Sequence, residues 1–79
     1  MNNLEKYNRV FIDVLGANEK DLNETFTFKA VKQWDSVAHL SLISEIEDTF
    51  DVMLESKDIL NFGSYENGKK IMREYGVVL

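Results

Sequence analysis

The sequence predicts an all-α protein: a small bundle of three longer helices plus one short helix, with a long loop between helices one and two. Three observations carry that expectation. Apolar residues recur at spacings of three and four in separate stretches. Glycines and N-capping side chains stand where those stretches begin and end. The one place where residues alternate as in a strand, Phe26 and Phe28 between threonines, has no second strand to pair with. With 79 residues and no repeat or low-complexity tract, residues 1–79 are expected to form a single domain.

In the first stretch Leu4, Tyr7, Val10, Phe11, Val14 and Leu15 trace one face of a helix, and Gly16 supplies a stop. From Ala17 to Asp35 the helical period is lost. Leu22, Phe26, Phe28 and Val31 are expected to pin this long loop to the core, and connections of such length in small domains are often functional. Ser36 to Phe50 restores the period. At roughly 100° per residue, His39, Leu42, Ile43, Ile46 and Phe50 share the inner face. Val37, Leu40, Ser41, Ser44, Glu47 and Asp48 fall on the outer one. Ser56 is placed as the N-cap of a short helix holding Ile59, Leu60 and Phe62, with Gly63 as its end. Ser64 caps a last helix whose inner face is Tyr65, Gly68, Ile71, Met72 and Tyr75. Lys69, Lys70 and Arg73 lie toward its C-terminal half, where the helix dipole favours positive charge.

Composition narrows the functions available. Fourteen acidic residues against nine basic ones give a net charge of −5, which disfavours nucleic acid and anionic membrane surfaces as partners. A surplus of acid also simply keeps a small protein soluble. There is no cysteine and a single histidine, so neither disulfides nor a zinc site of the usual ligands is expected. The first residues, Met-Asn-Asn-Leu-Glu-Lys, do not resemble a secretory signal, and a cytoplasmic monomer is the expectation. Catalysis is hard to assemble: His39 faces the core, and no glycine-rich phosphate loop or paired carboxylates stand out. Glu45, Glu47, Asp48 and Asp51 read as a solvated charged helix end. No enzyme is expected.

The informative stretch is Trp34-Asp35-Ser36-Val37, where the long loop meets the second helix. Either Asp35 or Ser36 can serve as an N-cap, and that role alone needs no further function. Three features of the context point further. Ser36 sits at the positive end of a helix, where unpaired N–H groups suit a phosphate ester. The loop before it leaves the hydroxyl reachable, and the neighbouring Val37 and Leu40 are apolar residues on the outer face.

These residues resemble the phosphopantetheine-dependent acyl and peptidyl carrier proteins. The family's Asp-Ser-Leu motif at the start of the second helix is matched by Asp35-Ser36-Val37. The likeness continues through Leu40, Leu42-Ile43, Glu45-Ile46-Glu47 and Phe50-Asp51-Val52. It covers essentially the whole chain in length and helix order. The resemblance implies that a phosphopantetheinyl transferase, with magnesium, attaches 4′-phosphopantetheine covalently to Ser36. The thiol of that arm would then carry cargo as a thioester for enzymes that load and transfer acyl or aminoacyl groups. On the same resemblance Asp35, Val37, Leu40, Glu47 and Asp48 would be recognised by the transferase or by partner enzymes.

Two departures shape the expectation. Carriers of fatty acid synthesis resemble one another in acidic residues two and five positions after the serine, where this chain has Ala38 and Ser41. Trp34 before the motif and His39 three residues after Ser36 are more similar to stand-alone carriers of specialised pathways. The alternatives are an aminoacyl or peptidyl carrier loaded by an adenylating enzyme, a housekeeping fatty acid synthesis carrier, and an unmodified helical adaptor binding through Val37 and Leu40. His39 is expected as a half-buried histidine satisfied by backbone or water, with a cargo-pocket lining as the sharper alternative. Trp34 is expected as a loop anchor.

Overall fold

A computed structural model describes residues 1–79. Four helices follow in order: α1, Asn3–Leu15; α2, Ser36–Phe50; α3, Ser56–Asn61; and α4, Tyr65–Glu74. The fold is all-α, as the periodicity requires, and spans 29 × 27 × 19 Å. A 3₁₀ turn at Glu19–Asp21, not anticipated, interrupts the long first loop. The only pairing of the strand type is an isolated bridge between Thr27 and Ser64.

One cluster of 16 buried residues forms the core. Tyr7, Val10, Phe11 and Leu15 come from α1, Leu42, Ile43 and Ile46 from α2, and Tyr65, Ile71 and Met72 from α4. The faces predicted by spacing are therefore the faces buried, except that Leu4, expected on the inner face, lies in the first turn of α1 and is 39% exposed. No residue of α3 is buried; Leu54 before it and Phe62 after it enter the core instead. Within α4, Gly68 gives room to α1, because a Cβ there would lie 2.6 Å from Phe62 and closer still to the Tyr7 hydroxyl. That hydroxyl donates to the Tyr65 carbonyl at 2.8 Å, joining the two helices inside the core.

The helix ends explain their own positions. Asn2 and Glu5 close a capping box at the start of α1. Gly16 ends that helix in the left-handed region, at φ 65°. Asp51 does the same after α2 at φ 53°, a conformation that a side chain other than glycine tolerates poorly. Ser64 caps α4 through its hydroxyl. The expected cap of α3 is corrected: Glu55 occupies that position without using its side chain, and Ser56 is already helical. The Tyr75 hydroxyl, from just beyond α4, accepts the Glu55 N–H at 2.9 Å and donates to Asp58 at 2.5 Å. A tertiary contact thus does what a local cap usually does.

The long loop is tied down by backbone and by aromatic rings. The Phe28 N–H donates to the Gly63 carbonyl, and the Tyr65 N–H to the Phe26 carbonyl, at 2.8 and 2.9 Å. Phe26 and Trp34 are buried, and Leu22 and Val31 pack partly against the core. Phe28 departs from expectation. It is 40% exposed, because the extended backbone ends at Thr27 and Phe28 begins a turn, closed by the Ala30 and Val31 N–H groups on the Thr27 carbonyl. The loop anchor on that side is Trp34, with Phe11, Phe26 and Phe28 rings 5.7–6.1 Å away.

Candidate functional site

Asp35 and Ser36 divide two jobs that the sequence left shared. Asp35 is the N-cap: its backbone is extended, and its carboxylate accepts the Ala38 N–H at 2.8 Å. Ser36 is consequently the first helical residue. Its side chain is exposed, and its hydroxyl makes no hydrogen bond within the protein. The N–H groups of Ser36 and Val37 also have no protein partner, since a helix start leaves them outside the i to i−4 ladder. An unbonded hydroxyl therefore stands beside two free donors at the positive end of a 15-residue helix.

A groove of about 530 Å³ opens next to this hydroxyl. Phe28, Ser36, His39, Leu40, Ile59, Leu60 and Gly63 line it, so the loop, α2 and α3 each supply a wall. The rim is apolar. Leu40 and Leu60 are 65% and 83% exposed, and Val37, next to Ser36 but outside the lining, is 75% exposed. Nothing local marks Leu60 as exposed, since neighbouring apolar residues such as Leu42 and Ile43 are both buried in α2.

His39 sits at the base of the groove, half-buried. Its Nδ1 lies 3.0 Å from the Trp34 indole nitrogen and its Nε2 lies 2.8 Å from the Ile59 carbonyl oxygen. Indole N–H can only donate and a carbonyl can only accept, so Nδ1 accepts and Nε2 carries the proton. The ring is satisfied on both sides, as the simpler reading of this residue expects, with a side chain rather than water at one nitrogen. It also lines the groove.

The acidic residues proposed for recognition lie elsewhere. Glu47 and Asp48 are about three turns from Ser36, roughly 16–18 Å along the helix axis. Asp48 is exposed. Glu47 is half-buried, and its carboxylate accepts the Leu54 N–H at 2.9 Å, which corrects its placement on the open face. Ser36 and Leu40 are brought together with Phe28 and Leu60, while Val37 lies outside that lining; Asp35 adjoins Ser36 with its carboxylate turned to the helix start. No helix is long and apolar enough to cross a membrane. No family model matches the chain. The fold and the site together define a small helical bundle that presents a free serine hydroxyl at a helix start, beside an apolar groove.

Proposed function

We propose that the chain is a carrier protein that bears a 4′-phosphopantetheine arm on Ser36 and presents acyl intermediates to partner enzymes, in a specialised biosynthetic pathway. The observation that carries this reading is the Ser36 hydroxyl: exposed, unbonded, and freed by Asp35 taking the cap. The residues present suit the group. A phosphodiester on Ser36 would meet the free N–H groups of Ser36 and Val37 and the positive end of α2. The first part of an arm could lie along Phe28, Leu40 and Leu60.

In the attachment step, Ser36 Oγ forms a bond to the phosphorus of coenzyme A nearest the pantetheine. The phosphoanhydride bond there breaks, the adenosine bisphosphate leaves, and the serine proton passes to a base of the transferase. The chain's share is to hold the hydroxyl clear of competing hydrogen bonds and to offer the exposed apolar residues Val37, Leu40 and Leu60 for docking. When bound, the arm supplies a thiol that forms thioesters, which the cysteine-free chain itself lacks. His39 is no base for Ser36, because both its ring nitrogens are engaged. The chain is read as substrate and shuttle, with the transferase and the loading and transferring enzymes as its partners.

Incubation with coenzyme A, magnesium and a broad-specificity phosphopantetheinyl transferase, followed by intact-mass measurement, tests this. A gain of one phosphopantetheine, lost in Ser36→Ala, is expected. Because the hydroxyl makes no bond, Ser36→Ala should leave unfolding free energy within about 0.5 kcal/mol of the parent. No gain, or a gain that persists in a folded Ser36→Ala variant, defeats the reading. Retained partner binding by unmodified protein, lost in Val37→Asp, would support the adaptor alternative instead.

A further inference from the structure

We infer that His39 is a positioning residue that couples the presentation of Ser36 to the placement of α3, the far wall of the groove; the part concerning Ser36 rests on the carrier reading. Trp34 precedes the N-cap Asp35, and His39 is the fourth residue of α2. Those are the two positions that a hydrophobic staple joins across a helix start, fixing the direction from which the chain arrives. Here the staple is aromatic and polar at once. The rings stack at 25° with centroids 6.0 Å apart, and the indole N–H donates to Nδ1. Ser36 lies inside this clasp, two residues from Trp34 and three from His39. The clasp is anchored in the core, because Trp34 is buried against Phe11 and Phe26.

The other ring nitrogen reaches a different element. His39 Nε2–H donates to the carbonyl of Ile59 in α3, a six-residue helix with no buried residue. A helix that short has no stability of its own, so its position depends on its flanks and its tethers. Two further tethers hold its ends: Tyr75 bonds Glu55 and Asp58, and the Asn67 side chain donates to the Asn61 carbonyl. His39 supplies the only hydrogen bond from α2 to α3, and it does so from within the groove. One imidazole thus sets both how the helix bearing Ser36 begins and how far Leu60 stands from Leu40.

Side-chain replacement can separate the two bonds. An asparagine amide reaches about as far as Nδ1, and a glutamine amide about as far as Nε2. His39→Asn should keep the Trp34 bond and lose the Ile59 bond, and His39→Gln should do the reverse. His39→Phe keeps a flat ring and loses both. The chain has one tryptophan and one histidine, so the indole N–H is a single resolvable probe of the first bond. Hydrogen exchange at Ile59 and Phe62 reports on the second.

In the full unmodified chain, His39→Phe should speed exchange of the indole proton and of the α3 amides by roughly five- to tenfold, the worth of one hydrogen bond. Amides of α1 and α4 should be unchanged. His39→Asn should restore the indole and His39→Gln the α3 amides. Transferase kcat/KM at Ser36 should fall in His39→Phe and recover in His39→Asn but not in His39→Gln. If Asn and Gln behave alike on both exchange probes, or if all helices loosen together in His39→Phe, the inference is overturned. Failure of the parent chain to accept the arm would defeat the carrier reading while the exchange pattern still decides the clasp.

Discussion

At the scale of single residues, the decisive placements are those where two neighbours in the chain do different work. Asp35 spends its carboxylate on the Ala38 N–H, and that leaves Ser36 with a hydroxyl and no partner. The sequence reduces the N-cap to these two residues but does not choose between them, because either side chain caps well. Gly68 is the opposite case, legible only after folding. Its spacing puts it on the inner face of α4, yet nothing local says why it lacks a side chain. The reason is the approach of Tyr7 and Phe62, both fully buried. Replacing glycine by alanine in a helix ordinarily gains about 1 kcal/mol. Here the new methyl meets rings that have no room to retreat. Gly68→Ala is therefore expected to destabilise the protein by about 1–3 kcal/mol, the usual cost of overpacking, as read from urea unfolding. A variant more stable than the parent would show that α1 and α4 can separate at little cost.

At the scale of elements, the helices with a full apolar stripe were readable and the one without it was not. In α1, α2 and α4 the periodicity identifies the buried face, since burial of that face is what holds each helix in place. The short α3 has no such face, so local pattern points to Ser56 as its cap where Glu55 holds that position, and does not show the exposure of Leu60. Its stabilising partners, His39 and Tyr75, are each 17 or more residues away in the chain, beyond the reach of local pattern. The exposure of Phe28 is equally hidden from local pattern, since the chain turns directly after Thr27, whose bridge partner Ser64 lies far along the chain. The end of α2 offers a prediction of its own. Asp51 holds φ 53°, and its side chain makes no hydrogen bond that would offset the strain. Glycine takes this conformation without steric cost but loses more entropy on folding. Asp51→Gly should thus stabilise by about 0.5–1 kcal/mol, visible as a higher denaturation midpoint with an unchanged m-value.

At the scale of the whole molecule, the core is organised around aromatic side chains that run from α1 to the groove. Tyr7 contacts Phe11, Phe62 and Tyr65; Phe11 contacts Trp34; and Trp34 meets Phe28 and His39. All three tyrosines of the chain are shifted upward from their ordinary value of 10.0. Burial is the main cause for Tyr7, which is pushed furthest, and for Tyr65, where nearby Glu66 adds to it. For Tyr75 it is the hydrogen bond given to Asp58. The consequence for stability has a definite sign. Above about pH 10 the unfolded chain gives up phenolic protons that the folded chain retains, so the unfolded state binds fewer protons and unfolding becomes easier as pH rises. Below that pH these groups are neutral in both states and contribute no slope. Stability should therefore be insensitive to the tyrosines up to about pH 10 and decline from there toward the raised folded values. Tyr7→Phe isolates the largest contributor. At neutral pH it should cost about 1–3 kcal/mol, because the Tyr65 carbonyl is left without its buried donor. Above pH 10 its stability should fall less steeply than that of the parent, so the two curves converge. Urea unfolding at a series of pH values, with the phenolate absorbance followed in parallel, measures both effects. Parallel curves through the alkaline range would mean that Tyr7 titrates alike in the folded and unfolded chain, and that the contact between α1 and α4 admits water.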